Sequence, residues 1–496
     1  MARGRCTIQA AVLQGVDAVP VDVEVSVSNG VPGFFIVGLV DAAVQESKER
    51  VRAALRESGF TMPNDRVLVN LAPSSLRKTG SGFDLAIAAG ILAATGQVNP
   101  EVVKRCLFVG EVSLNGAVRS VAGLLAYALC ARDLGYSLVC AEDADGLIPV
   151  EGLEPLGVRS LSDLRSGVFR PLSCFEPFEV ACQLDYADIA GNEVGKRAFQ
   201  IAAAGGHGLL MMGPPGSGKT MLAARLPSIL PPLEEDEMIR VALVHSVAGE
   251  DVSGILAGRR PFRAPHHSAT APGLIGGGNP VRPGEISLAD GGVLFLDELA
   301  EFRGSVLQQI RQPLESGFVA ISRADGMVTF PAHFMLVAAS NPCPCGFFGD
   351  PERPCSCTQR QVAKYQNRIG GPLIDRIDLH IDVQRVPPEA VISQTGGTSS
   401  QELRMGVLAG REYASWRKAH ERIGATTQEL MASCHLDDED ARFFEDMAKL
   451  NHMSGRAIVR TTAVARTIAD IDERQKVTRE DLCEALGFRL REGVGQ

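Results

Sequence analysis

The sequence predicts a multidomain α/β protein, and three observations predict it. Between about residues 185 and 385, short apolar runs alternate with helical periodicity around a glycine-rich loop, the pattern of a parallel α/β core. From Gln401 onward the chain reads as one helix after another. Before about residue 168 a separate unit mixes alternating strands, helices and a hairpin signal. The resulting division is 1–168, 169–385, a linker at 386–400, and 401–496.

In the first unit, alternation at Asp22–Val27, Val67–Val69 and Cys106–Gly110 predicts strands, and periodicity predicts helices at Ala42–Ser58, Phe83–Ala94 and Ala122–Leu134. Asn115-Gly116 between Glu111–Leu114 and Ala117–Arg119 is a hairpin signal. Ser166–Pro177 reads as a linker. In the second unit, strands are expected at Gly208–Met212, Gly292–Leu296, Phe334–Ala339 and Asp378–Val383, followed by a loop over Pro387–Ser400. The third unit predicts helices at 401–422, 437–450, 454–472 and 478–489. Ser454 and Thr478 are the expected N-caps of the last two, with Asp481 completing a Thr-x-x-Asp box.

Composition sets bounds without choosing a function. A chain of 496 residues suggests about three domains, and 45% hydrophobic with 22% charged content is that of a globular protein with a sizeable core. No apolar run reaches membrane-spanning length, and the start at Met1 lacks a signal core. A cytoplasmic protein with no membrane partner is expected. The net charge of −10 neither advertises a nucleic-acid partner nor excludes one, since a ring can carry its positive charge on an inner lining. Of twelve cysteines, eight are scattered and read as small buried hydrophobes.

The chemistry begins at Gly213, Pro214, Pro215, Gly216, Ser217, Gly218, Lys219 and Thr220, placed between an apolar strand and a helix. Such a loop turns successive backbone N–H groups toward phosphate oxygens. Lys219 adds a charge at the β- and γ-phosphates, and the Thr220 hydroxyl is a Mg²⁺ ligand. The expected substrate is therefore a nucleoside triphosphate, ATP, with Mg²⁺. Downstream, the strand ending at Leu296 delivers Asp297 to the Mg²⁺ shell and Glu298 to the attacking water. Alone, that acidic pair is equally a helix cap. A third strand ends at Asn341, whose amide is placed to hold the lytic water, although Pro342 after it also fits a simple turn.

In this order the motifs resemble the AAA+ ATPases. The resemblance implies a trans-acting arginine finger at Arg376 in Pro372–Asp378, a second sensor at Arg456 after Ser454-Gly455, and an adenine-side box at Asp188–Asn192. Asn192 departs from the usual Gln there. Arg323 and Arg460 compete for the arginine roles. Arg260–His267, Leu274–Gly278, Pro283–Ala289 and Arg311–Glu315 resemble the magnesium-chelatase-like branch, which implies a pore-directed hairpin within 255–285 as the substrate contact. His266 and His267 lack a third metal ligand at suitable spacing. Gly80–Ala86 and Gly110–Gly116 resemble a ribosomal-S5-like, Lon-protease-type domain. Matching that motif puts the nucleophile position at Gly82, beside Ser81, and the base position at Tyr127 in a helix without lysine, so an inactive domain is expected.

Cys343-Pro344-Cys345 and Cys355-Ser356-Cys357 can supply four thiolates to a structural Zn²⁺, although the spacing within each pair is tighter than the commonest form. A disulfide pair and independent buried thiols are the alternatives. The whole arrangement resembles the YifB/ComM family, which implies a homohexameric helicase acting on single-stranded or branched DNA. The competing readings are an ATPase motor for a metal chelatase and a protein-remodelling machine.

Overall fold

A strand buried on one face shows alternating burial, and Asp17–Ser28 does so: Val21, Val23, Val25 and Val27 are buried while Asp22 and Glu24 face solvent. It sits inside an eight-stranded sheet of order Arg170–Pro171, Leu156–Val158, Ser137–Ala141, Cys106–Phe108, Arg5–Gln14, Asp17–Ser28, Arg66–Ala72, Gly33–Val37. The computed structural model describes residues 4–144, 147, 149–173, 184–323, 326–369, 371–387, 389, 392, 397–421 and 426–489. Helices Ala42–Glu57, Asp84–Ala94 and Leu124–Leu134 match the periodicity. The hairpin forms where Asn115-Gly116 placed it, with Glu111–Val112 against Val118–Arg119 and the Gly116 N–H donating to Ser113 O at 2.8 Å.

Two expectations here need correcting. The segment read as a linker from Ser166 begins as structure: Arg170–Pro171 adds an edge strand to Leu156–Val158, a position that tolerates proline. Phe169 meets Phe108 edge-on at 6.3 Å, while 174–177 lie outside the described residues. The scattered cysteines are also not uniformly buried. Cys106, Cys130, Cys140 and Cys434 are, but Cys6 is half-buried and Cys483 is exposed on the outer face of its helix. Cys174 and Cys182 lie outside the described residues.

Asp84 ties this unit together. Its carboxylate is fully buried and accepts from Arg50 Nε at 2.7 Å, from Ser47 Oγ and from the Val112 N–H at 3.3 Å. It thereby joins two helices to the hairpin. Removing one partner of a buried pair leaves the other uncompensated. Asp84→Ala is expected to cost about 3 kcal/mol, read as a lowered midpoint in chemical denaturation followed by circular dichroism.

The second sheet is parallel throughout, in the order Phe262–Arg263, Val293–Leu296, Met335–Ser340, Leu209–Met212, Leu379–Asp382. The last four are fully buried or nearly so because helices cover both faces. Register matters for the site. Met212 pairs with Ser340 and Leu296 with Ala338, so the next residues, Gly213, Asn341 and Asp297, emerge together at the carboxyl edge. The hairpin within the 255–285 region is only a two-residue ladder, Gly276–Gly277 against Arg282–Pro283. The longer hairpin, which the sequence reading missed, is Phe318–Arg323 with Gly326–Pro331.

Helices Ser400–Glu421, Thr427–Ala432, Asp438–Leu450, Gly455–Ile471 and Arg479–Gly487 follow. Ser454 caps its helix through the Ala457 N–H, and Thr478 forms the box with Asp481. Much of the 386–400 segment lies outside the described residues. The helical region shares one apolar cluster with the sheet, where Val464, Ala465 and Ile468 join Leu209 and Leu222. Arg417 clamps Asp470 with bonds of 2.9 and 2.8 Å. The amino-terminal unit docks as well: Leu125 and Ala128 share a cluster with Val241 and Ala242, and the Gly123 N–H donates to Ser246 O at 2.8 Å. Among the described residues no helix is long and apolar enough to cross a membrane.

Candidate active site

The phosphate loop runs from the end of strand Leu209–Met212 to the start of helix Lys219–Ile229. Gly216 and Gly218 adopt left-handed φ angles of 79° and 90°, which any side chain would strain, and this lets the backbone curl around a ligand. The Ser217 hydroxyl is buried without a hydrogen-bond partner among the described residues, and that suits a loop shaped for an anion. Lys219 is buried. Its Nζ donates to the carbonyls of Gly213 at 2.8 Å and Pro214 at 2.9 Å, and lies 3.4 Å from Asn341 Oδ1. Burial lowers the Lys219 pKa, against the pull of Asp297 and Glu298.

The Thr220 hydroxyl donates to Asp297 Oδ2 at 2.7 Å, so two hard oxygen donors of the kind Mg²⁺ takes are adjacent. Glu298 then leaves the strand in a left-handed conformation, φ 52° and ψ 46°, which is costly for a residue with a Cβ. That turn carries its carboxylate to His267, with Oε2 3.1 Å from Nδ1. His267 thus holds the expected catalytic carboxylate. The sequence reading set it aside as a metal ligand and placed it in a structured insertion loop, and nothing in the chain order connects it to Glu298. On the adenine-side box, Asn192 is also left-handed, and its buried Nδ2 has no partner among the described residues.

The expected arginines lie elsewhere. Arg376 Nε donates to Glu315 Oε1 at 2.7 Å and Nη1 to Pro372 O at 2.6 Å, while Arg456 Nη2 lies 3.5 Å from the same Glu315 oxygen. Their neighbour Asp378 precedes strand Leu379–Asp382 and accepts from the Gly208 N–H at 2.9 Å, which marks the amino edge of the sheet. A four-residue strand, about 13 Å long, separates that edge from the phosphate loop of the same chain. Burial raises the Asp378 pKa, but His207 and Arg460 more than offset this and hold it at about 2. Both competing arginines are engaged: Arg460 pairs with Asp378, and Arg323 donates to Gly278 O.

In the amino-terminal unit the two matched positions do meet, since a Cβ on Gly82 would lie 3.8 Å from Tyr127 Oη. Ser81 donates to the Glu111 carboxylate, while the buried Lys78 amine donates to Pro73 O. Ser81 therefore has an acceptor, but no lysine base among the described residues.

The four cysteines converge. Their Sγ atoms all lie within 4.8 Å of one another, with Cys343–Cys345 at 3.3 Å, Cys345–Cys355 at 3.5 Å and Cys343–Cys355 at 3.6 Å. Zn–S bonds of about 2.3 Å in a tetrahedron give S···S edges of about 3.8 Å, so the donor set fits that ion.

Residues 185–391 match the family model described as magnesium chelatase, subunit ChlI; residues 23–143 match subunit ChlI of Mg-chelatase, and 397–489 its C-terminal region. Competence protein ComM of Haemophilus influenzae is 42% identical, covering 96% of this chain and 95% of that protein. The YifB protein of Salmonella typhimurium is 40% identical over the same shares. The chloroplastic magnesium-chelatase subunit ChlI of Nicotiana tabacum is 22% identical over 42% of this chain and 44% of its own length.

Proposed function

Because this chain belongs to the YifB/ComM family of magnesium-chelatase-like AAA+ ATPases, we propose that it is an ATP-driven, homohexameric motor that remodels single-stranded or branched DNA in recombination or natural transformation. The observation that carries this reading is the division of the machinery between opposite edges of one sheet. Lys219, Thr220, Asp297, Glu298 and Asn341 gather at the carboxyl edge, while Arg376 and Arg456 gather on Glu315 at the amino edge. A ring brings the amino edge of one subunit against the carboxyl edge of the next, so each site is completed by its neighbour.

In that reading the phosphate-loop amides and Lys219 hold the triphosphate, and Thr220 and Asp297 hold Mg²⁺, which when bound neutralises charge on the β- and γ-phosphates. Asn341 positions the lytic water and Glu298 takes its proton. The neighbour's Arg376 and Arg456 stabilise the transferring phosphoryl group, and this ties hydrolysis to movement between subunits. Cys343, Cys345, Cys355 and Cys357 hold a structural Zn²⁺. The amino-terminal unit is a Lon-protease-type scaffold that has lost its peptidase chemistry. The ladder at 276–283 and the neighbouring hairpin Phe318–Pro331 are the loops assigned to the strand.

DNA enters this reading through the resemblance to a competence protein. It is tested by measuring ATP turnover with single-stranded DNA, forked DNA and none. Turnover is expected to rise several-fold with DNA, most with the forked substrate. A rate indifferent to both removes the DNA reading and leaves the ATPase standing, in which case stimulation by a metal-inserting partner becomes the competing explanation.

A further inference from the structure

The four-cysteine loop begins two residues after Asn341 and folds back onto the phosphate loop. Its segment 343–357 has little means of ordering itself by burial. Cys343 is the only hydrophobic residue in it that is fully buried, and Phe348 is 40% exposed. Yet its contacts with the nucleotide site are specific. Gly346 lies so close to Pro215 that a Cβ there would meet Pro215 Cδ at 2.6 Å, and its φ of 85° keeps the approach open. On the other side, Arg385 Nη2 donates to Pro215 O at 3.4 Å.

Arg385 is itself held by the loop. Its guanidinium lies over the Phe347 ring, 5.4 Å from the centroid, and 3.8 Å from Asp350 Oδ2. The Asp350 side chain is only 2% exposed, and its Oδ1 accepts from the Glu352 and Arg353 N–H groups at 2.8 and 3.1 Å. Pro342, between Asn341 and Cys343, is fixed by Gln366 Nε2 donating to its carbonyl at 3.0 Å. Pro215 and Asn341, one on the phosphate loop and the other at the lytic-water position, therefore rest on the same loop. A cavity of about 260 Å³ lies between Pro214 and Phe348–Asp350, so close packing alone does not hold the loop against the phosphate loop.

We propose that the four-cysteine loop is a metal-dependent brace of the nucleotide site: closing a divalent ion between Cys343, Cys345, Cys355 and Cys357 fixes Gly346 and Arg385 against Pro215 and sets the position of Asn341. The proposal rests on the zinc reading above. A loop with four thiolates drawn onto one cation is rigid, and without the cation its sparse apolar contacts leave little to hold it closed. Opening releases Pro215 from both sides. Nucleotide affinity then falls although no residue that touches the nucleotide has changed.

The test uses the full-length protein in three states: as purified, stripped by a chelator under reducing conditions, and reloaded with Zn²⁺. Metal content is read by mass spectrometry of the native protein, and affinity by a fluorescent ATP analogue. One ion per chain is expected. Stripping should weaken the analogue about tenfold or more and reloading should restore it, with helix content unchanged by circular dichroism. Arg385→Ala separates the brace from the metal, because it should keep the ion and still bind the analogue several-fold more weakly. Absence of metal in protein purified without chelators overturns the zinc reading, and the brace with it. Bound metal with the same affinity in all three states, or Arg385→Ala at native affinity, overturns the brace and leaves the zinc reading intact.

Discussion

Glu298→Gln is expected to lower ATP turnover by about a hundredfold to ten-thousandfold while leaving nucleotide binding near its native strength. The carboxylate stands at the end of strand Val293–Leu296, turned out by a left-handed backbone and held by His267 at 3.1 Å. Glutamine has the same length and tolerates the same backbone, so shape and packing are retained. What is lost is the proton acceptor. On the reading proposed above, binding depends on other groups: Lys219 and the loop amides for the phosphates, and the adjacent Thr220 and Asp297 for Mg²⁺. Phosphate release and binding of a fluorescent ATP analogue, measured on one preparation, separate the two effects. Native turnover in the variant removes Glu298 from the mechanism; lost binding means that its role is in holding the nucleotide.

The contrast between Glu298 and His267 shows where the sequence speaks and where it is silent. Glu298 is legible because a short apolar strand ending in two carboxylates is a local pattern, and register with the phosphate-loop strand follows once the sheet is parallel. The same holds for Asn341, for the Asn115-Gly116 hairpin and for the caps at Ser454 and Thr478. His267 sits 31 residues before Glu298 and meets it only because Phe262–Arg263 is added at the edge of the sheet, a two-residue strand too short to carry a pattern. Glu315 is silent in the same way. It lies at the end of a helix, and its partners Arg376 and Arg456 come from two other segments. The strand Arg5–Gln14 and the hairpin Phe318–Pro331 were missed for a related reason: their pairing defines them more than their residues do.

Glu315 bears on the second large effect, which concerns whether sites are shared between subunits. Lys219→Ala and Arg376→Ala are each expected to be inactive alone. The first loses phosphate binding, and the second loses an arginine worth about a thousandfold or more in phosphoryl transfer. Mixed in equal amounts, they should regain activity. A Lys219→Ala subunit still offers an intact Arg376, and an Arg376→Ala subunit still offers an intact phosphate loop, so random ring assembly restores about a quarter of the sites. If Arg376 acted within its own chain, every subunit in the mixture would carry one broken site and activity would stay at the level of the single variants. The geometry favours the shared site, since Arg376 lies at the amino edge of the sheet whose carboxyl edge carries the phosphate loop. The same experiment with Arg456→Ala decides its role separately. Arg456 shares the Glu315 oxygen with Arg376, so it is expected to complement Lys219→Ala too, as a second trans-acting arginine and not a lid residue of its own site. Failure of the Arg456→Ala mixture alongside success of the Arg376→Ala mixture returns Arg456 to its own chain and makes its contact with Glu315 a feature of the unassembled subunit.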